Sequence, residues 1–183
     1  MQAIGKAISA VVAASSGIAG VLVVLLVAHV TLDVAMRYVF NTPLNATILY
    51  VASFYMVAIA FLPLALVEEK DMHISVELLA ERFPSKIQTF LAFLATLLTA
   101  IVTATVAVRT GQEALVKYAG GAYSIEAGGK IITWPTYFFL PVGFGLMALV
   151  SAWKTIAMLL GRDSGLVAPE IEDPYLSKAD SDV

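Results

Sequence analysis

His29, Asp33 and Arg37 recur at four-residue spacing near the end of the first apolar stretch. On a helix that spacing puts all three on one face. A line of ionisable groups inside a membrane is the usual material of a proton relay. The same spacing also describes a local ion pair at the membrane boundary, with Asp33 and Arg37 both reaching water and His29 near the interface. His29 and His73 are the only histidines. Haem ligation inside a bundle needs two axial side chains facing each other. His73 falls in a polar stretch, so no haem or other cofactor is expected. The absence of cysteine removes disulfide scaffolds, iron–sulfur centres and cysteine-ligated zinc.

Two further sets of residues invite a chemical reading. Ala92, Thr96, Ala100 and Ala104 form a small-residue stripe on the third apolar stretch, with Thr99 and Thr103 beside it. Gly17 and Gly20, with Ala13 and Ser16, offer similar positions on the first. Threonine hydroxyls could line an ion path. The plainer role is close helix packing, since lipid supplies no hydrophobic force to drive helices together. Pro135, Pro141, Gly143 and Gly145 could break the fourth stretch around a site. Pro135 fits better in the first turn of a helix, and Pro141 as a kink whose freed carbonyl is satisfied by neighbours.

The elements that must position these residues are membrane spans. The chain has 183 residues, of which 60% are hydrophobic and 14% charged, with a mean hydropathy of +0.87. Soluble domains carry about 25% charged residues. Residues 7–32, 38–67, 87–108 and 131–153 contain no formal charge. Each run is long enough, at about 1.5 Å per helical residue, to cross a hydrocarbon core of about 30 Å. The expected fold is an all-α membrane protein with four transmembrane helices, at about 8–32, 46–67, 87–108 and 132–155. The first run is too long for a signal peptide and reads as a retained span.

The first helix is expected to continue past Asp33 and Arg37 to about Phe40, and Asn41-Thr42-Pro43 to turn the chain. Pro63 should kink the end of the second span. Residues 72–83 place Ile74, Leu78 and Phe83 near one face, which predicts a short amphipathic helix in the membrane interface. The third helix should overrun the membrane through Arg109, Glu113 and Lys117. The glycine pairs 120–121 and 128–129 then bracket a loop. Trp134, Tyr137 and Trp153 flank the fourth span as interfacial aromatics.

Charge is concentrated at one end. Residues 161–183 hold two basic and six acidic side chains, and are expected to form a flexible cytoplasmic tail. No basic stripe supports a nucleic-acid partner. With the N-terminus inside, six Lys and Arg residues near the spans (Lys6, Lys70, Arg82, Lys86, Lys154 and Arg162) lie on the cytoplasmic side and four outside, which favours both termini in the cytoplasm. No internal repeat or pair of interrupted helices marks a carrier site.

The ordered motifs resemble a known family. Arg37-Tyr38-Val39-Phe40-Asn41-Thr42-Pro43 follows span one, and His73-Ile74-Ser75-Val76-Glu77-Leu78-Leu79 follows span two. Phe83-Pro84 precedes span three. Ile132-Thr133-Trp134-Pro135-Thr136-Tyr137 and Pro141-Val142-Gly143-Phe144 fall in span four. Together, over about residues 15–160, they resemble the small, DctQ-like membrane subunit of tripartite ATP-independent periplasmic (TRAP) transporters. The family commonly has a tryptophan and an acidic residue at the start of span two, whereas this chain reads Leu44-Asn45-Ala46-Thr47-Ile48-Leu49.

The resemblance implies a large multi-span transport subunit that moves substrate and sodium, and a periplasmic binding protein that delivers an organic acid. It places the chain in a bacterial inner membrane as a non-enzymatic scaffold. Asp33, Arg37, Tyr38, His73, Arg82, Trp134 and Trp153 would then make membrane-boundary contacts with lipid or partner. The small residues of spans one and three would pack helices. Spans without a buried ionisable pair suit a support better than a carrier. The rival reading is a stand-alone oligomeric carrier or channel that uses His29 and the span-three threonines.

Overall fold

The 39 residues Gln2–Phe40 form one unbroken helix, α1. No proline interrupts them, and the side chains least exposed fall at Gly5, Ile8, Val12, Ser15, Ala19, Leu22, Leu26, His29, Asp33 and Met36. That spacing alternates three and four residues, the seam of a helix packed along one narrow line. Apart from Ser9 and Ser16, which are half-buried, the rest of α1 is exposed. The computed structural model describes residues 2–70, 85–126, 129–161 and 164–166. The interfacial helix expected at 72–83, with His73 and Arg82, and nearly all of the acidic tail lie outside the described residues.

α1 ends where Asn41 takes a left-handed conformation, φ 54°. Asparagine tolerates this because its short side chain can bond locally. The second span, Thr47–Glu69, is built from several pieces. α2 (Thr47–Tyr50) passes into a π-helical segment, Val51–Tyr55, then α3 (Met56–Phe61), then α4 (Leu64–Glu69). The break between α3 and α4 falls at Leu62-Pro63. Leu66 N–H bonds to Pro63 O at 2.9 Å rather than to Leu62 O. The freed Leu62 carbonyl accepts the Ser15 hydroxyl of α1 at 3.2 Å. The second span therefore breaks at the expected proline, and α1 satisfies the Leu62 carbonyl left open by the altered turn.

α5 (Ser85–Ala119) overruns the uncharged run by a further eleven residues, as its charges suggested. The segment between the glycine pairs is not a plain loop. Tyr123–Glu126 (β1) and Gly129–Ile132 (β2) pair antiparallel, Tyr123 opposite Ile132 and Ile125 opposite Lys130. Aromatic and β-branched residues at alternate positions favour that pleated pairing. Trp134–Phe138 is a 3₁₀ turn with Pro135 in its first turn, and it leads into α6 (Phe139–Leu159). Pro141 falls in the first turn of α6, just after the change from 3₁₀ to α geometry.

Among the described residues four helices are thus long and apolar enough to cross a membrane. The second span lies between α1 and α6, and α5 packs along α6. The tightest packing is among Ile8, Val12, Ala65 and Val150, the last three fully buried. A second cluster joins Ala19, Ala58 and Leu62. Gly143 marks the closest approach of two spans, because a β-carbon there would lie 2.2 Å from the Phe61 carbonyl oxygen.

Candidate functional site: two polar clamps on the second span

The buried ionisable groups of the described spans gather at the two ends of span two. At its start, Asp33 of α1 is 6% exposed. Its Oδ1 accepts the Leu44 backbone N–H at 2.8 Å, and its Oδ2 accepts Arg37 Nη2 at 3.0 Å. Asp33 therefore fastens the end of α1 to the turn that begins span two. It does not bond to His29. The His29 ring instead lies between Tyr50 and Tyr55, at centroid distances of 6.1 and 5.8 Å, with Nδ1 3.4 Å from the Tyr55 hydroxyl. The helix face that held a relay pattern thus divides into an ion-paired anchor and an aromatic-caged imidazole.

At the other end, Glu68, Glu69 and Lys154 are all buried, at 3%, 5% and 6% exposure. Ser151 of α6 donates its hydroxyl to Glu68 Oε1 at 2.8 Å. Lys154 Nζ donates to the Glu68 backbone carbonyl. The expectation that the chain lacks a buried ionisable pair is corrected here. These charges stand one or two residues beyond the uncharged runs, where chain ends are usually wet. In the fold α1, α4 and α6 meet here, and Leu166 packs against the same apolar cluster. A β-carbon on Gly5 would lie 2.5 Å from Ser164 O, and the Trp153 indole N–H bonds to that same carbonyl at 2.8 Å. The sequence signal was available: Glu68 and Lys154 each follow the charge-free run of a span, on the same side of the membrane.

The other expected contact residues are dispersed. Tyr38 is 91% exposed. Trp134 packs edge-on against Tyr118, 4.8 Å between centroids, and against Phe138. On α5 the partly buried line runs through Ala92, Thr96, Ala100 and Thr103, whereas Ala104 is exposed. Gly111 of α5 meets Pro141 of α6, and Thr96 meets Met158. On α1, Gly17 and Gly20 are exposed with nothing within contact distance of a β-carbon. Ser15 and Ala19 make the close approach instead. The hydroxyls of Thr96, Thr103, Thr105 and Thr110 all donate to carbonyls of their own helix. Among the described residues no group of three His, Asp or Glu side chains is placed to hold a metal ion.

A family model, the DctQ component of tripartite ATP-independent periplasmic transporters, matches residues 26–161. The chain belongs to the DctQ family. It is a membrane component of a TRAP transporter, not an enzyme. Searches of curated proteins and of solved structures find no significant match. The family match starts just before His29 and takes in both clamps of this DctQ component.

Proposed function

We propose that this DctQ component is the stationary scaffold of a sodium-coupled, binding-protein-dependent organic-acid importer of a bacterial inner membrane. It packs against a large transport subunit, which moves the substrate delivered by a periplasmic binding protein. Both termini face the cytoplasm. Sodium coupling, the carboxylate substrate and the partner set follow the family. One observation carries the scaffold role: polar side chains of all four spans bond to the chain's own backbone or to one another. The hydroxyls of Thr96, Thr103, Thr105 and Thr110 on α5 bond to their own helix, while Asp33 and Glu68 hold neighbouring segments together. Groups used as fasteners leave no polar path for a solute.

Reconstitution tests this directly. Proteoliposomes holding this chain alone should show no uptake of any organic acid under a sodium gradient, and uptake should appear once the large subunit and binding protein are added. Uptake by the chain alone would reject the scaffold role. Replacing His29 with Ala should leave uptake by the full transporter near the wild-type rate, whereas a carrier routed through His29 would lose it.

A further inference from the structure

α1 and span two do not close evenly. Where span two presents Ala58 and Ala65, α1 comes in with Val12, Ser15 and Ala19, and the side chains pack closely. Nearer Asp33, span two presents Tyr50, Phe54 and Tyr55, the last two from its π-helical segment. A π segment carries an extra residue per turn and re-aims the side chains beyond it. Tyr55 is thereby set against His29, and the two helices stand apart. The gap is a cleft of about 480 Å³ lined by Leu25, Ala28, His29, Leu32, Leu44, Asn45 and Tyr55, within the range of about 300–1,000 Å³ typical of ligand sites.

The lining decides the class of occupant. It carries no formal charge, and its polar groups are one imidazole, one phenol and one amide. The imidazole and phenol already face each other. A charged solute would find no counter-charge, and water would find few partners along the leucine wall. An acyl chain fits such a wall. The complementary group lies just beyond the lining, two hydrogen bonds from Leu44. Leu44 of the lining bonds to Asp33, and Asp33 holds one edge of the Arg37 guanidinium. The Arg37 side chain remains 62% exposed, with further N–H donors in the fork that suits phosphate oxygens. It lies eight residues beyond His29, about 12 Å along the helix at 1.5 Å per residue.

We propose that this cleft seats one glycerophospholipid, its acyl chain against Leu25, Ala28 and Leu32 and its phosphate on the open edge of Arg37. The bound lipid would fill the splayed half of the α1–span-two interface, where side chains alone leave it unfilled.

Native mass spectrometry of the full chain, extracted with its transporter in mild detergent and washed free of bulk lipid, tests the assignment. The wild type should retain one phospholipid per copy. Ala28→Trp, which fills the cleft, should cut occupancy about tenfold, and Arg37→Gln should weaken it several-fold. A wild type that keeps no lipid, or an Ala28→Trp variant that keeps as much as wild type, overturns the proposal. Ala28→Cys guards against a misfolded tryptophan variant, because the chain has no other cysteine. A photoreactive label there should crosslink to phospholipid. Crosslinking only to another polypeptide, or to nothing, would reject a lipid occupant.

Discussion

The two ends of span two are both held by a carboxylate, yet they pack very differently. At the Glu68 end, Val12, Ala65 and Val150 interlock without measurable exposure, and Ser151 and Lys154 are sealed in with the carboxylate. At the Asp33 end the carboxylate secures the turn and Arg37, and the helices beneath it part around a cleft. The cause is residue size. Alanine and serine let backbones approach within the membrane, whereas Tyr50, Phe54 and Tyr55 hold them apart. A single polar anchor can therefore accompany either a rigid joint or an open one, depending on its apolar neighbours.

Lys154→Met should break the rigid joint most severely. Removing a buried charged donor from its acceptors costs about 3 kcal/mol, so thermal unfolding in detergent should fall by many degrees. An unchanged midpoint would mean that the Glu68 clamp contributes nothing. Gly143→Ala comes next. Its new methyl would meet the Phe61 carbonyl, and overpacking of this kind costs about 1–3 kcal/mol. A cysteine pair reporting on the α3–α6 distance should show those spans displaced.

Asp33→Asn should act more weakly and more locally. The amide oxygen can still accept Leu44 N–H, but the ion pair with Arg37 is lost. Leu44 amide exchange should quicken while the Val12–Val150 cluster keeps its protection. Loss of protection at both ends together would show that the two halves unfold as one. The smallest effect should be a gain. Ala46 sits at φ 61°, left-handed geometry that costs a side-chain-bearing residue about 1–2 kcal/mol. Ala46→Gly should therefore stabilise the Asp33 end by about 0.5–1 kcal/mol, read as a small rise in the unfolding midpoint.

Much of this was legible from residue order. The four charge-free runs became the four spans. Charges past residue 108 marked the overrun of α5, and Pro135 marked the start of the last span. The hairpin at 123–132 was hidden between glycines that also suit a loop, and only the pairing of two four-residue strands separates the cases. The small-residue faces were legible as a type but not as a direction. Gly17 and Gly20 point outward on α1 while Ser15 and Ala19 point inward, because composition marks a helix as able to approach closely without saying which side meets a neighbour. Gly143 read as a helix breaker and proved to be a contact point.

By itself the sequence determined that the chain is a four-span helical membrane protein and which family it belongs to. Those follow from hydrocarbon thickness, the cost of charge in lipid and the order of short motifs. Tertiary structure decided which polar groups meet. Burial of Glu68 with Lys154, separation of His29 from Asp33, and the cleft between α1 and span two all depend on helices distant in sequence lying side by side, and no local spacing encodes that.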